Sequence, residues 1–298
     1  MQRFIDGQLI TVHKDAFDIA DGIVNNASYD MPAKFYCGKD KSKQCCLTHL
    51  VGLPVHPATR RPMSLTPYQI DLQKLVHSSK PQKYIINKSR QLGFTEIILR
   101  IIQHEALTGK YQGGKIGIMA GTNADLARKN LRRLYELFKL IPYMIKDTYF
   151  RGHLLHLSNG VIIEAFRANE ESITGDTNYR AIFLDESAKW RLRDDSPVFN
   201  SILPIVETNK ADLFLVSTPK GPIKKFHEIW TDQDSDFVKL EYPIHVAKDS
   251  LYSEQDIKTI LNNSVEDINQ EYLCKFTIGR GSVFGEYSNV GNHEEILI

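Results

Sequence analysis

The segment Ala181-Ile182-Phe183-Leu184-Asp185-Glu186 constrains the fold of this chain more than any other. Four consecutive apolar residues without polar alternation describe a short strand of the kind buried inside a parallel sheet. Further strand-like runs occur at Tyr84 to Asn87, Lys115 to Ala120 and Asp212 to Val216, with Phe237 to Tyr242 as a last candidate. Helical periodicity fills the intervals. Ile97, Ile98, Ile101, Ile102 and Leu107 recur at near-helical spacing, and Ala127, Leu131, Leu134, Phe138 and Ile141 form one apolar stripe behind a cap at Thr122 or Asn123. His153 to Ser158 and Val161 to Phe166 flank Asn159-Gly160, a hairpin signal. Ser253 to Phe276 reads as two helices. Strands alternating with helices imply an α/β fold of three layers, a mainly parallel central sheet with helices on both faces.

Composition sets the outer bounds. A chain of 298 residues accommodates one large α/β domain with an N-terminal elaboration. Lysine and arginine total 37 against 36 acids, a net charge of +1, so any surface for nucleic acid must be a local patch. Four cysteines do not make a disulfide scaffold in a chain of this length, which points to a reducing compartment. The opening residues lack a basic segment followed by an apolar run, so no signal peptide is read there. No stretch approaches the length of a membrane span. The expectation is a cytoplasmic protein with no membrane partner. Residues 1–62, irregular in pattern, are taken as an N-terminal extension, 63–290 as the α/β domain and 291–298 as the start of a linker.

In sheets of this type ligands sit at the carboxyl ends of the strands, and three such ends carry chemistry. The first is Lys88-Ser89-Arg90-Gln91-Leu92-Gly93-Phe94-Thr95. A nucleoside triphosphate needs inward backbone N–H groups, a helix N-terminus, a cation and a hydroxyl for Mg²⁺. The segment departs twice from the usual G-x-x-x-x-G-K-[ST] pattern: Lys88 or Ser89 stands for the first glycine, and Phe94 replaces the lysine. A lysine at the start of a loop that curls round phosphates reaches the same oxygens as one at its end, so Lys88 can serve, with Arg90 as a second charge and Thr95 as the Mg²⁺ hydroxyl. An ordinary strand-to-helix turn with solvated cations fits the same residues.

The second end is the acidic pair, where Asp185 is placed to hold Mg²⁺ and Glu186 to polarise an attacking water. The third is Ser217-Thr218-Pro219, in which Ser217 or Thr218 can hydrogen-bond a γ-phosphate and report its loss. Upstream, Pro67 and Gln69 lie in a Thr-Pro-Tyr-Gln element, and an amide side chain can pair with adenine.

In order, the Pro-x-Gln element, the loop from Ser89 to Thr95, the strand ending in Asp185 and Glu186, and Ser217 to Pro219 resemble the terminase large subunit family. The stretch Asp-Glu-Ser-Ala-Lys-Trp at 185–190 is similar to the family's own, and a lysine at the front of the loop is a known family variant. The resemblance covers roughly residues 64–290. It implies a P-loop NTPase core of the additional-strand, catalytic-glutamate type, with ATP and Mg²⁺ as ligands and Glu186 as the hydrolytic carboxylate. It also implies a homo-oligomeric ring on a viral portal, with a small terminase subunit as a further partner. Such a ring would pump double-stranded DNA into a procapsid in the host cytoplasm.

Two departures stand out. The family often places Arg-Gly shortly before the acidic pair, where this chain has Thr174-Gly175, so an arginine acting in trans would come from Arg167 or Arg180. The family usually adds a nuclease domain, which would begin near the last residues here, so no DNA cleavage by this chain is expected. A helicase-like remodelling ATPase, or a degenerate nucleotide-binding scaffold favoured by Phe94, are the competing readings.

Other clusters are less specific. Arg128, Lys129, Arg132 and Arg133 oppose the apolar stripe of their helix and can touch DNA phosphates or form a solvated face. Lys220, Lys224 and Lys225 are an equal candidate. Cys37, Cys45, Cys46 and His49 fall close enough together to suggest Zn²⁺, although the spacing is not that of a standard finger. Trp190 and Trp230 are read as packing anchors.

Overall fold

The computed structural model describes residues 2–5, 8–11, 65–108, 110–139, 149–169, 171, 173, 177–264 and 267–277. The elements, in chain order, are β1 (Gln2–Ile5), β2 (Gln8–Thr11), α1 (Pro67–Ser78), β3 (Lys83–Lys88), α2 (Phe94–Thr108), β4 (Lys115–Met119) and α3 (Asp125–Lys139). There follow β5 (Tyr149–Arg151), β6 (Leu154–His156), β7 (Ile162–Phe166), β8 (Tyr179–Asp185), α4 (Ser196–Asn209), β9 (Asp212–Ser217) and α5 (Lys224–Thr231). The last are β10 (Val238–Tyr242), α6 (Glu254–Asn263) and α7 (Ile268–Glu271).

Eight strands form one sheet in the order β10-β3-β9-β8-β4-β7-β6-β5. The strands from β10 to β7 run parallel, and β6 and β5 continue the sheet antiparallel. Side chains of the central strands alternate between two cores. Tyr84, Ile86, Ala181, Phe183, Phe214 and Val216 pack with α1, α2 and α3 on one face. Ile85, Ile182, Leu184, Leu213 and Leu215 pack with α4 and Phe226 of α5 on the other. The uninterrupted apolar runs of β8 and β9 are therefore explained: both faces are covered, so neither face needs polar residues. The three-layer fold inferred from the sequence is the fold observed.

Most of the local expectations agree with the structure. The stripe on α3 is buried at Ala127, Leu131, Leu134 and Phe138, whereas Ile141 lies outside the described residues. Of the two proposed caps, Asn123 is the one engaged, its Oδ1 accepting from the Asp125 N–H at 3.2 Å. The Asn159-Gly160 hairpin joins β6 to β7. Residues 1–62 are not wholly irregular: β1 and β2 pair antiparallel, with Ile5 opposite Gln8. The candidate Zn²⁺ ligands Cys37, Cys45, Cys46 and His49, the Thr174-Gly175 pair and residues 291–298 all lie outside the described residues.

The end of the sheet opposite the chemistry is closed by a buried ion cluster. Asp212, at the start of β9, is wholly buried and accepts from Tyr111 Oη at 2.6 Å, Lys110 Nζ at 2.8 Å and the Gln82 N–H at 2.9 Å. Burial raises its carboxyl above the ordinary range in spite of Lys110. Asp212→Ala would leave a lysine, a phenol and an N–H without their acceptor. It should cost about 3–5 kcal/mol in urea denaturation. A loss below about 1 kcal/mol would show that water replaces the carboxylate there.

Candidate functional site

Register brings the three chemical strand ends together. Asn87 stands opposite Ser217 and Asp185 opposite Val216, so β3, β9 and β8 end side by side. Neighbouring strands are about 4.8 Å apart, so the tips of β3 and β8 are separated by about 10 Å with β9 between. A lysine and a glutamate side chain span that gap. Lys88 Nζ donates to Glu186 Oε1 at 2.6 Å and to Thr218 Oγ1 at 3.3 Å. The acidic pair is thus within direct contact of the turn that begins at Lys88.

The loop after β3 has the form of an anion cradle. Gln91 and Gly93 both take left-handed backbone, at φ 60° and 74°, and α2 starts at the next residue. A Cβ at 93 would also sit 2.8 Å from Gln69 Nε2, so a larger residue there would displace that amide from the loop. Leu92 and Phe94 turn their side chains into the core, where Phe94 stacks on Tyr68 at 5.8 Å and meets Tyr242 at 4.7 Å. The position that usually carries lysine is therefore a core position here, and the loop's cation enters from Lys88. Ser89 and Arg90 direct their N–H groups outward, to Tyr242 O at 2.8 Å and Glu271 O at 3.0 Å.

Gln69 is engaged by the protein itself. Its Oε1 accepts from the Thr66 N–H at 3.0 Å, and its Nε2 donates to Leu92 O at 3.4 Å. Tyr68 Oη donates to the same carbonyl at 3.0 Å. The observed role of this element is to buttress the loop from behind, with Pro67 opening α1. The amide would have to release these bonds to read adenine.

Asp185 is 2% exposed and receives Asn130 Nδ2 at 2.8 Å and Thr95 Oγ1 at 3.2 and 3.3 Å. Burial and the adjacent Glu186 push its carboxyl up to about 6, against the pull of Asn130, Lys88 and Thr95. Trp190 Nε1 donates to Asp185 O at 3.0 Å, so the packing anchor also fixes the strand end. Glu186 adopts left-handed backbone, at φ 51° and ψ 39°. Its Oε1 meets Lys88, while Oε2 is buried without a hydrogen-bond partner among the described residues. The two hydroxyls of the third strand end separate: Ser217 Oγ accepts from the Ala188 N–H at 3.2 Å and so ties down the turn after Glu186, and Thr218 faces Lys88.

Three residues of the site carry no signal in the linear sequence. Asn130 comes from α3. Lys189 and Glu271 form a strut at the cleft's rim: Lys189 Nζ donates to both Glu271 oxygens at 2.8 and 2.9 Å, and Arg90 Nε lies 3.5 Å from Glu271 Oε2. The short helix α7 therefore holds the loop's arginine and the segment after the acidic pair at once. The open cleft is lined by Lys88, Arg90, Gln91, Glu186 and Thr218, together with Gly121 and Leu126. Of the two arginines considered for a role in trans, Arg167 is exposed just beyond the carboxyl end of β7, on the cleft's edge of the sheet, whereas Arg180 lies near the opposite end of β8 against Gly114. Arg128, Lys129, Arg132 and Arg133 of α3 are all exposed, and Arg128 and Arg133 are already in ion pairs with Asp125 and Glu96.

The donor set suits Mg²⁺ and a triphosphate. Asp185 and Thr95 offer only hard oxygens, the kind of ligand Mg²⁺ takes, and the carboxyl raised by burial and by Glu186 is what a nearby cation would relieve.

Comparison with solved structures gives the same fold at low identity. The large terminase ATPase domain of Thermus phage P74-26 superposes with a TM-score of 0.55 at 18% identity, covering 73% of this chain and 94% of that one. The large terminase of bacteriophage HK97 gives 0.58 at 18% identity, over 77% of this chain and 54% of that protein. The large terminase of the thermophilic bacteriophage D6E, solved in complex with ADP, gives 0.55 at 16% identity, over 71% and 53%. The chain thus spans nearly all of the isolated ATPase domain and about half of the HK97 and D6E proteins. No curated protein matches the sequence. Among the described residues no helix is long and apolar enough to cross a membrane. The family model for the terminase large subunit, T4likevirus-type, N-terminal, matches residues 85–287, about two thirds of the chain and the whole span from the loop's strand to beyond α7, and the chain accordingly belongs to the terminase large subunit family.

Proposed function

We propose that the chain hydrolyses ATP to drive double-stranded DNA into a viral shell. The observation that carries this reading is the contact of Lys88 with Glu186 and Thr218, because it joins all three strand ends at one point. A triphosphate entering the cleft offers Lys88 a stronger partner than a single carboxylate, and Arg90 can turn to it from Glu271. The N–H groups from Gln91 to Thr95, around two left-handed residues, and the N-terminus of α2 face the phosphates. Thr95 and Asp185 would hold Mg²⁺, which supplies charge neutralisation for the phosphoryl group when bound. Release of Lys88 frees Glu186 Oε1 as well as Oε2, so that the carboxylate orients a water for in-line attack and accepts its proton. Thr218, just beyond the strand between loop and acids, feels whether Lys88 points at phosphate or at Glu186.

Family membership supports the assembly we propose: a ring on a viral portal in the host cytoplasm, with a small terminase subunit as a further partner and Arg167 facing the neighbouring subunit's nucleotide. Lys88→Gln tests the cleft as the nucleotide site. ATP at about 100 times its Kd stabilises a protein by about 2.7 kcal/mol. The wild type in Mg²⁺ buffer should show that gain as a rise in Tm, and the variant should lose most of it. An equal rise in both proteins would place the nucleotide elsewhere.

A further inference from the structure

A second group of ligating side chains lies away from the cleft, near the C-terminal ends of α1 and α2. His77 of α1 and His104 of α2 each direct Nδ1 at the same atom, Glu105 Oε1, at 2.9 and 2.8 Å. Their rings meet edge to face with centroids 5.0 Å apart. One ligand atom from each of the three residues lies within 4.8 Å of the others. His104 and Glu105 are buried, and His77 keeps 16% of its side chain exposed.

We propose that His77, His104 and Glu105 form a binding site for a divalent ion of the zinc class. Two imidazoles and one carboxylate are the donors that Zn²⁺ accepts readily in three-ligand sites, whereas Mg²⁺ asks for oxygen alone. Metal–nitrogen bonds of about 2.0–2.1 Å in a tetrahedron set donors about 3.3 Å apart. The two nitrogen–oxygen separations, 2.9 and 2.8 Å, are some tenths of an ångström shorter, so the ion enters with a small shift of the rings away from the carboxylate. The partly exposed edge of His77 provides the entry and leaves a fourth position for water. The site clamps α1 to α2, ten residues beyond Phe94, or about 15 Å along the helix at 1.5 Å per residue. Its ion would hold in place the helix that begins at the phosphate loop without touching the cleft.

The test uses the full chain, treated with chelator and carrying Cys37→Ser, Cys45→Ser and Cys46→Ser, in the absence of ATP. Zn²⁺ titrated by calorimetry should bind at one ion per chain and raise Tm. Co²⁺ in its place should give visible d–d bands without a thiolate charge-transfer band. His77→Gln keeps an amide donor for Glu105, and with it the packing of the two helices. It should weaken Zn²⁺ binding by roughly 100-fold or more. No uptake by the chain lacking those three thiols, or uptake unchanged by His77→Gln, would overturn the proposal. Neither result bears on whether the cleft binds ATP.

Discussion

Glu186→Gln is expected to lower ATP turnover by about 10²–10⁴-fold, the range over which a positioned general base acts, with ATP affinity changed by no more than a few-fold. The substitution conserves shape and leaves an amide oxygen for Lys88, which now lies 2.6 Å from Oε1. It removes the charge and basicity of Oε2, the oxygen that is buried with no partner among the described residues. A buried carboxylate oxygen in that condition is costly to a folded protein and is found where chemistry needs it. Its backbone, left-handed at φ 51°, points the same way: a non-glycine residue is held there only by its surroundings. Single-turnover hydrolysis and the ATP-induced rise in Tm, measured on the same preparation, separate chemistry from binding. Full turnover in the variant would remove Glu186 from the reaction; loss of the Tm shift would mean that it serves to bind.

How much of this is legible in the sequence depends on the range of each interaction. The strands β3, β4, β8 and β9 are readable because burial on both faces leaves runs such as Leu213 to Val216 with no polar residue. The acidic pair and the hydroxyls after β9 are readable because ligands collect at carboxyl ends in such sheets, and the register delivers them there. The choice between Ser217 and Thr218 is not, since it turns on which hydroxyl the Ala188 N–H captures. Gln69 shows contacts that no linear pattern records: its amide is held by the loop's Leu92 carbonyl and the Thr66 N–H. Phe94 looks like a defect in the loop and is a core residue, a fact that depends on Tyr68 and Tyr242 from two other elements. Asn130 and Glu271 have no local signal at all, because each reaches the site across a sequence separation that no short pattern records.

Asp185→Asn should make the protein more stable at pH 8 and end Mg²⁺-dependent hydrolysis. Burial, with repulsion from Glu186 next, raises this carboxyl to about 6 from 3.8. Between those two values the folded chain binds more protons than the unfolded one, so this residue's contribution to stability falls as pH rises through the window. Two pH units at about 1.4 kcal/mol each give a deficit of about 3 kcal/mol above pH 6. Asparagine removes that deficit without leaving its neighbours unpaired: its oxygen accepts from Asn130 Nδ2 at the place where Asp185 now does at 2.8 Å, and its amide can donate to Thr95 Oγ1. Urea denaturation without Mg²⁺ should therefore show a gain of about 2–3 kcal/mol at pH 8. That gain should shrink toward zero near pH 4, as the wild-type carboxyl becomes protonated in the folded state and then in both. Mg²⁺ with ATP should stabilise the wild type and do much less for the variant, because the cation has lost its charged ligand. A variant less stable than wild type at pH 8 would show that Lys88 and Thr95 already compensate the charge. The acid would then have no need of a cation, and the assignment of Mg²⁺ to this strand end would fail with it.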